Sequence, residues 1–351
     1  MGWYQSSSLI SKQQFMGDRR QHFHSDVNRP FAPHMGQNVF HESDRRPGST
    51  ATGGETGNHH WRFTGYVKLL KRNQAGLQSS PINGKGIGAA IARNLASKGA
   101  SLVMNYSSES SNSSINQLAT ELQQSHGIQC LIVQADLSSP AAPSHIVNVA
   151  KNHFSHPKTN KFRIDIIINN AGVSGNHPVE EVTPEEFSRQ YAVNVLAPLL
   201  LVQSALPYLP TDRSGRIVNI SSVSSSLGFI GQSIYGGTKA ALEAMTRTWA
   251  RELAEIATVN AVNPGPVDTD MYNESSDAFR NRMRPFIQNT PLQAAREDVD
   301  EERVVEAAKS DGGRPAWGYE VAGVVGMLCS EESGWCTGSV VCANGGMKFS
   351  V

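Results

Sequence analysis

The stretch IDIIINNAG, residues 164–172, decides the fold of this chain. Apart from Asp165 it is apolar from Ile164 to Ile168, and it is only long enough for a strand. A continuously apolar strand is buried on both faces, which is typical of a parallel sheet covered by helices. The run closes on Asn169, Asn170, Ala171 and Gly172, whose small size would let an adenosine approach the strand end. The same four residues also suit a simple turn.

Other apolar runs of strand length alternate with runs of helical spacing on both sides of this stretch. The strand-length runs are SLVMNY (101–106), CLIVQAD (130–136), GRIVNISS (215–222), ATVNAVNPG (257–265) and GSVVCANGG (338–346). The helical runs are residues 86–99, 184–209 and 235–255. This alternation predicts an α/β fold with a Rossmann-type, doubly wound parallel sheet in a single domain. Ligands of such sheets bind at the carboxyl ends of the strands.

Composition and charge exclude several classes of function. The 351 residues carry 31 Lys and Arg against 31 Asp and Glu, a net charge of +0, so we expect no nucleic-acid or membrane partner. No uninterrupted apolar run approaches the ~18 residues of a membrane span. The four cysteines form no Cys-x-x-Cys pair, which indicates reduced thiols, a cytoplasmic protein and no metal site.

Residues 1–60 differ in composition from the rest of the chain. They are rich in Ser, Gly, Asn, Gln and His and show no sustained helical or strand period. We expect a disordered, low-complexity extension here, followed by a folded domain over residues 61–351. The irregular spacing of its histidines favours solvated polar side chains over a metal cluster.

The stretch PINGKGIG, residues 81–88, has a second half typical of a phosphate-binding loop. Gly84, Gly86 and Gly88 precede a helical run, which Gly99 is placed to end. A helix start with free N–H groups and no Cβ in the way suits a pyrophosphate. Tight packing of a helix on a sheet explains the same glycines almost as well.

The end of the run SLVMNY bears on the choice of cofactor. A site for the unphosphorylated ribose places Asp or Glu after this strand, whereas Asn105, Tyr106 and Ser107 are uncharged. Lys85, in the glycine-rich loop, is within reach of a 2′-phosphate. This combination favours NADP(H), although Lys85 also fits the description of a solvated surface lysine.

The segment ISSVSSSLGFIGQSIYGGTK, residues 220–239, carries the predicted chemistry. Tyr235 and Lys239 are four residues apart on a helical run, so they share a face. An ammonium beside a phenol favours the phenolate and is expected to lower the pKa of Tyr235. Ser222 follows a strand, and its hydroxyl is placed to bind the same substrate oxygen. The trio predicts proton transfer to a carbonyl or from an alcohol.

A fourth candidate lies on the helix that Thr183 and Pro184 begin, with Thr183 as the expected N-cap. Pro198 interrupts this helix and removes the hydrogen bond to the carbonyl of Asn194. That carbonyl would hold a water linking Lys239 to solvent. The alternative is a simple kink with a structural asparagine.

In these motifs the chain resembles the short-chain dehydrogenase/reductase family, over roughly residues 84–349, with a looser similarity to fungal 3-oxoacyl-carrier-protein reductases. The resemblance implies a catalytic tetrad of Asn194, Ser222, Tyr235 and Lys239, an adenine-contacting Asp136, and hydride transfer between NADP(H) and a small carbonyl or alcohol substrate. It also implies a homodimer or homotetramer. The full set of expected cofactor-binding residues is Gly84, Lys85, Gly86, Ile87, Gly88, Asn105, Tyr106, Ser107, Asp136, Leu137, Asn170, Ala171, Gly172, Tyr235, Lys239, Pro264, Gly265, Val267 and Thr269.

The chain departs from the family pattern at its first strand. FTGYVKLL, residues 63–70, resembles the lead-in and first strand, but polar residues 71–83 intervene, with Pro81 and Ile82 in place of the usual Thr-Gly. Either the loop carries an insertion or the gene model has misread a splice boundary. A non-catalytic binding or scaffold subunit is therefore the alternative to a reductase, and dehydration or epimerisation is a third reading.

Residues 271–316 match the variable substrate lid of the family. Phe279, Met283 and Phe286 fit either a pocket lining or the core face of a helix. The acidic run EDVDEER, residues 297–303, is expected to be solvated.

Overall fold

The computed structural model describes residues 86–349 and, as backbone only, residues 67–71. Its sheet has seven parallel strands in the order β3-β2-β1-β4-β5-β6-β7. The strands are Val67–Lys71 (β1), Ser101–Tyr106 (β2), Cys130–Gln134 (β3), Ile164–Asn169 (β4), Gly215–Ile220 (β5), Ala257–Pro264 (β6) and Val340–Ala343 (β7). The Rossmann-type doubly wound sheet expected from the sequence is confirmed.

Helices cover both faces of this sheet. They are Ile87–Ser97 (α1), Asn112–His126 (α2), Ala142–Phe154 (α3), Pro184–Tyr191 (α4), Ala197–Ala205 (α5), Ser224–Leu227 (α6), Ser233–Glu252 (α7), Asp270–Asn273 (α8), Asp277–Gln288 (α9), Glu302–Asp311 (α10) and Gly318–Leu328 (α11). One core cluster joins α1, α2 and α11 to the sheet, and a second joins α3, α5 and α7 to the other face. Strands β2, β4, β5 and β6 are therefore buried on both sides, as their apolar pattern predicts, whereas β3 and β7 are only partly buried.

The first strand lies where FTGYVKLL suggests. Val67–Lys71 pairs in parallel with β2 on one side and β4 on the other, with Leu69 opposite both Val103 and Ile167. Because the strand order reverses direction next to β1, the carboxyl edge between β1 and β4 is the switch point where such sheets bind ligands. The unusual segment that includes Pro81, Ile82, Gly84 and Lys85 lies outside the described residues, as does the predicted extension of residues 1–60.

The helix after the glycine-rich loop forms as its sequence indicates. Ile91 and Leu95 of α1 are fully buried, and Gly99 adopts a φ of 79° just beyond the helix end. This left-handed conformation is open to glycine at little cost.

The helix that carries Asn194 contains a wide turn. Thr183 caps α4 by accepting a hydrogen bond from the Glu186 amide at 3.2 Å, as expected. Residues 192–196 then form a π-turn, in which the Ala197 amide donates to the Ala192 carbonyl. Such bulges are frequent at functional sites.

The run Pro184–Tyr208 is long and apolar enough to cross a membrane by length and composition alone. In this fold α5 packs against α3, and the π-turn packs against α7. The run thus behaves as a core helix of the domain.

Candidate active site

The candidate site lies at the carboxyl ends of β4, β5 and β6, where one cavity is lined by three of the four predicted catalytic side chains, all but Asn194. Ser222 follows β5, and Tyr235 and Lys239 lie on α7. The backbone amides of Ser221 and Val223 donate to carbonyls of the neighbouring strand β6, those of Val262 (2.7 Å) and Pro264 (3.0 Å). These bonds fix the position of Ser222 between them.

A glycine lets the serine segment reach the tyrosine. A Cβ at Gly236 would lie 2.6 Å from the backbone oxygen of Ser224, so only glycine allows α6 and α7 to approach this closely. The Ser222 hydroxyl thereby lies close enough to the Tyr235 phenol to oppose the rise in the pKa of that phenol. The Ser222 oxygen also accepts from the Ser224 amide at 3.2 Å.

Lys239 is a buried cation behind this pair. It is 3% exposed, its Nζ donates to the Ile220 carbonyl at 2.8 Å, and it lies 5.6 Å from the centroid of the Tyr235 ring. Burial lowers the pKa of Lys239 to about 8, while the carboxylate of Glu243 acts in the opposite direction. Lys239 therefore exchanges its proton near working pH.

The pKa of Tyr235 moves opposite to the expected direction. Burial raises it to about 12, and the hydrogen bond from Ser222 only partly offsets this rise. The phenol is therefore protonated at neutral pH, which suits a proton donor in carbonyl reduction. The sequence expectation failed because it counted the charge of Lys239 and left out the cost of burying a phenolate.

Asn194, in the π-turn, is 1% exposed and fully engaged. Its Oδ1 accepts from the Val173 amide and its Nδ2 donates to the Val173 carbonyl, both at 2.8 Å. Nδ2 also donates to Thr238 Oγ1 at 3.0 Å. Asn194 thus joins the end of β4 to α7 beside Lys239.

Part of the expected cofactor set lines the same cavity. A Cβ on Gly172 would lie 3.3 Å from Lys239 Nζ and 3.5 Å from Asn194 Oδ1, so the glycine leaves the floor of the site open. Such a floor beside a buried cation and two hydroxyls fits the ribose and nicotinamide end of a dinucleotide. The predicted cofactor residues at this cavity are Ile87, Asn170, Gly172, Tyr235, Lys239, Pro264, Gly265, Val267 and Thr269.

Two polar side chains that were expected to bind the cofactor form hydrogen bonds with nearby protein groups. The Asn105 amide donates to the carbonyls of Tyr106 (3.2 Å), Val133 (3.1 Å) and Ala135 (3.0 Å), so it ties β2 to β3 and has no donor left for a phosphate. The Asp136 carboxylate accepts from the amide (3.0 Å) and hydroxyl (2.8 Å) of Ser138. The cavity is not lined by Gly86, Gly88, Asn105, Tyr106, Ser107, Asp136, Leu137 or Ala171 among the described residues.

Part of the segment predicted to be a lid, residues 271–316, lines the cavity. Phe279 and Met283 of α9 line it, whereas Phe286 is 40% exposed and packs edge-on against Phe229 at 4.9 Å. In the acidic run most side chains are solvated, but Asp300 pairs with Arg314 at 3.4 Å.

Several site residues escaped the sequence analysis. Glu243 follows Lys239 at the same four-residue spacing that links Lys239 to Tyr235, and this spacing was a signal that could have found it. Its carboxylate accepts from Ser221 Oγ at 2.6 Å. Gln232 and Tyr272 line the cavity without any such signal, because only the folded chain brings them there.

No three His, Cys, Asp or Glu side chains within residues 86–349 are grouped so that they could hold a metal ion. The chemistry of the described site rests on hydroxyls, amides and one ammonium.

Comparison with known proteins identifies the family of this chain. The family model described as "short chain dehydrogenase" matches residues 83–279. The chain is 55% identical over 285 residues to the L-xylulose reductase of Aspergillus niger, covering 76% of this chain and 95% of that protein. It is 52% identical over 288 residues to the L-xylo-3-hexulose reductase of Hypocrea jecorina, covering 76% and 94%.

A solved structure shares the fold. The blue fluorescent protein from a metagenomic library, in complex with NADPH, superposes with a TM-score of 0.64 at 30% identity, covering 81% of this chain and 98% of that one. The two relatives described above are named as reductases of sugars. The looser resemblance drawn from the sequence was to 3-oxoacyl-carrier-protein reductases. The chain therefore belongs to the short-chain dehydrogenase/reductase family of oxidoreductases, which use a nicotinamide cofactor and act on CH–OH and C=O groups.

Proposed function

We propose that this chain is an NADP(H)-dependent reductase of a small, neutral ketose, with Tyr235 as the proton donor. The observation that carries the proposal is the single cavity lined by Ser222 and Tyr235, with the buried Lys239 ammonium 5.6 Å from the centroid of the Tyr235 ring. This arrangement supplies a proton and stabilises negative charge at one point.

The side chains divide the reaction between them. The Tyr235 hydroxyl gives its proton to the carbonyl oxygen, and Ser222 donates a hydrogen bond to the same oxygen as charge develops on it. The Lys239 ammonium stabilises the phenolate that Tyr235 leaves. A bound nicotinamide supplies the hydride that reaches the carbonyl carbon and is itself oxidised, so carbonyl, hydride and proton together give the alcohol.

The same residues are suited to hold the cofactor. Tyr235 and Lys239 would bind its ribose, and Pro264, Val267 and Thr269 would hold the nicotinamide. The preference for NADP(H) rests on the absence of a carboxylate at residues 105–108 and on Lys85. It also draws support from the NADPH bound to the metagenomic neighbour.

A proton relay completes the proposal. Asn194 and Lys239 both approach Gly172, and Pro198 offers no N–H to the Asn194 carbonyl. A water on that carbonyl would return protons from solvent to Lys239.

The charge of the cavity narrows the substrate class. Lys239 is the only charged residue among the described residues that line it. A site without a second cation does not suit phosphorylated or carboxylated substrates. The two fungal relatives are named for ketoses, which are neutral carbonyl compounds of suitable size.

The assembly and the domain limits are proposed on similar grounds. Leu196, Leu199 and Leu206 are each more than a third exposed along the helical run that carries Asn194. Such a row suits a homodimer or homotetramer paired through this run. We also propose a single reductase domain from about residue 61, with a lid at residues 271–316.

The competing proposal is a non-catalytic binding or scaffold subunit. It is favoured by the distance along the chain between β1, which ends at Lys71, and α1, which begins at Ile87. A family phosphate loop is much shorter. The side chains described at the catalytic cavity favour the enzyme.

One experiment separates the two proposals. Purified protein is titrated with NADPH and NADH by fluorescence and assayed for NADPH-dependent reduction of L-xylulose. A second variant has residues 71–83 replaced by a continuous strand and glycine turn. Tight NADPH binding with turnover by the natural chain supports the reductase. Binding by the repaired variant alone indicates a family member disabled at its phosphate loop, and binding by neither, with a stable oligomer, supports the scaffold.

A further inference from the structure

Two buried polar atoms at the substrate side of the cavity have no hydrogen-bond partner in the described protein. They are Gln232 Oε1 and the Tyr272 hydroxyl, and both residues line the cavity. Buried polar atoms in folded proteins are nearly always hydrogen-bonded, so an exception in a residue that lines a cavity points to a ligand.

Gln232 is held so that its oxygen is the free group. The side chain is 8% exposed, and its Nε2 donates to Asn176 Oδ1 at 3.0 Å. With Nε2 donating to Asn176, Oε1 is left as an unused acceptor. Gln232 is the N-cap residue of α7, three residues before Tyr235, and both residues line the same cavity.

Tyr272 approaches from the lid. It lies in α8 and packs against the apolar cluster that includes Val223, Phe229 and Met283. Burial is the main cause that raises the pKa of Tyr272 to about 12, so its hydroxyl stays protonated and can both donate and accept.

We propose that Gln232 and Tyr272 are specificity-determining residues that bind hydroxyl groups on either side of the reacting carbonyl. This inference deepens the proposed reductase function and rests on it. The two neutral groups select a short polyhydroxylated ketone, while Phe279 and Met283 contact its C–H surfaces. A site built to hydrogen-bond a hydroxyl discriminates strongly against an analogue that lacks it, because its own polar groups then stay unpaired.

The test compares two five-carbon substrates in the full chain. L-Xylulose carries hydroxyls on every carbon but the carbonyl, whereas 2,3-pentanedione has an activated carbonyl and no hydroxyl. Gln232→Met and Tyr272→Phe approximately keep the side-chain volume. The first removes the side-chain amide, and the second removes the phenol hydroxyl. We expect each to lower kcat/KM for L-xylulose by roughly 10- to 100-fold and to change kcat/KM for the dione less than about threefold.

A matched control separates substrate binding from local structure. Asn176→Ala removes the same internal hydrogen bond as Gln232→Met but leaves Oε1 in place, so it should keep most of the preference for L-xylulose. Equal losses on both substrates in Gln232→Met, or the same loss of preference in Asn176→Ala, would overturn the proposal for Gln232. An unchanged preference in Tyr272→Phe would overturn it for Tyr272.

A binding measurement keeps the inference testable if the reductase proposal fails. Calorimetry with xylitol, the pentitol formed from L-xylulose, is made on wild type and both variants in the presence of NADP⁺. Weaker xylitol binding in each variant supports the hydroxyl-binding role whether or not the chain turns over. Equal affinity in all three proteins contradicts it.

Discussion

Asn194 and Val173 are joined by two reciprocal hydrogen bonds, each 2.8 Å long, between one side-chain amide and the backbone N–H and C=O of one residue. The pair is buried, and Asn194 carries the connection on to Thr238 of α7. The loop that leaves β4 is thereby held to the helix that carries Tyr235 and Lys239. A single side chain thus sets the width of the site between two elements that are distant in sequence.

The first prediction follows from this clamp. Asn194→Ala removes all three bonds, so the Tyr235 face of α7 loses its fixed distance from the β4 loop. We expect kcat to fall on the order of 10²-fold, since small misplacements of reacting groups have effects of this size. Steady-state kinetics measure it, with Ser204→Ala as the control because its hydroxyl bonds only the Leu200 carbonyl of its own helix (2.7 Å). Wild-type kcat in Asn194→Ala contradicts the clamp.

The second prediction concerns the proton donor. Tyr235→Phe removes the hydroxyl while keeping the ring, so turnover should fall by roughly 10²- to 10⁴-fold with little change in the fold. Circular dichroism and NADPH titration serve as controls for folding and cofactor binding. Substantial remaining turnover would falsify the assignment of Tyr235 as the proton donor.

The third prediction concerns pH. The pKa of Lys239 is lowered to about 8 by burial and held up by Glu243. Its cation is therefore present below that pH and lost above it, so kcat/KM for reduction should decline as pH rises through about 8. Glu243→Gln keeps an acceptor for Ser221 but removes the charge, which shifts the decline to lower pH.

The control for this prediction is Glu252→Gln, an exposed residue near the end of the same helix. Its pH profile should match that of wild type. If Glu243→Gln leaves the profile in place or moves it to higher pH, the electrostatic role of Glu243 is wrong.

The fourth prediction separates stability from activity. Burying the Lys239 ammonium costs free energy, because its pKa in the folded chain lies below the unfolded value of 10.5. Lys239→Met should therefore abolish turnover yet raise the free energy of unfolding by about 1 kcal/mol, after the lost bond to the Ile220 carbonyl is deducted.

The sign of the pH dependence identifies the cause. Below pH 8 the wild type bears the full free-energy cost of burying the Lys239 ammonium, and this cost shrinks as pH rises from 8 toward 10.5. The stability gap between Lys239→Met and wild type in urea unfolding should shrink over the same interval. A gap that is constant with pH, or a destabilised variant at neutral pH, rules out this account.

The fifth prediction concerns the close contact of α6 with α7. Gly236→Ala places a Cβ 2.6 Å from the Ser224 carbonyl oxygen, so a backbone segment has to move. We expect about 1–3 kcal/mol of destabilisation, together with reduced kcat as Ser222 shifts from Tyr235. Gly323→Ala in α11 is the matched control, because a Cβ there meets nothing within 4 Å and alanine favours a helix. Equal stability of the two variants contradicts the prediction.

The elements that the sequence predicted are those whose signals are local. The strand from Ile164 and the helix from Ile87 are specified by their own apolar spacing, and their burial follows from it. The spacing of Tyr235 and Lys239 likewise forces them onto one face of α7.

What the sequence could not provide depends on contacts between distant segments. Asn105 was expected to bind the cofactor, but its side-chain amide already donates to carbonyls in and just after β3. The pKa of Tyr235 depends on how deeply the fold buries it, which no spacing reveals. Gln232 and Tyr272 meet at one cavity only because the lid folds back over the carboxyl edge of the sheet.

The π-turn at residues 192–196 makes the geometry of the site depend on the number of residues in this helix. A wide turn holds one residue more than an α-turn, so deleting a single residue there would close it into regular helix and retain the hydrogen-bonded backbone. The deletion would also rotate whatever precedes it by about 100° relative to α5. The direction in which the Asn194 side chain points toward Val173 thus depends on the one extra residue in this turn. A natural relative that lacks this residue would need a different contact between the β4 loop and α7.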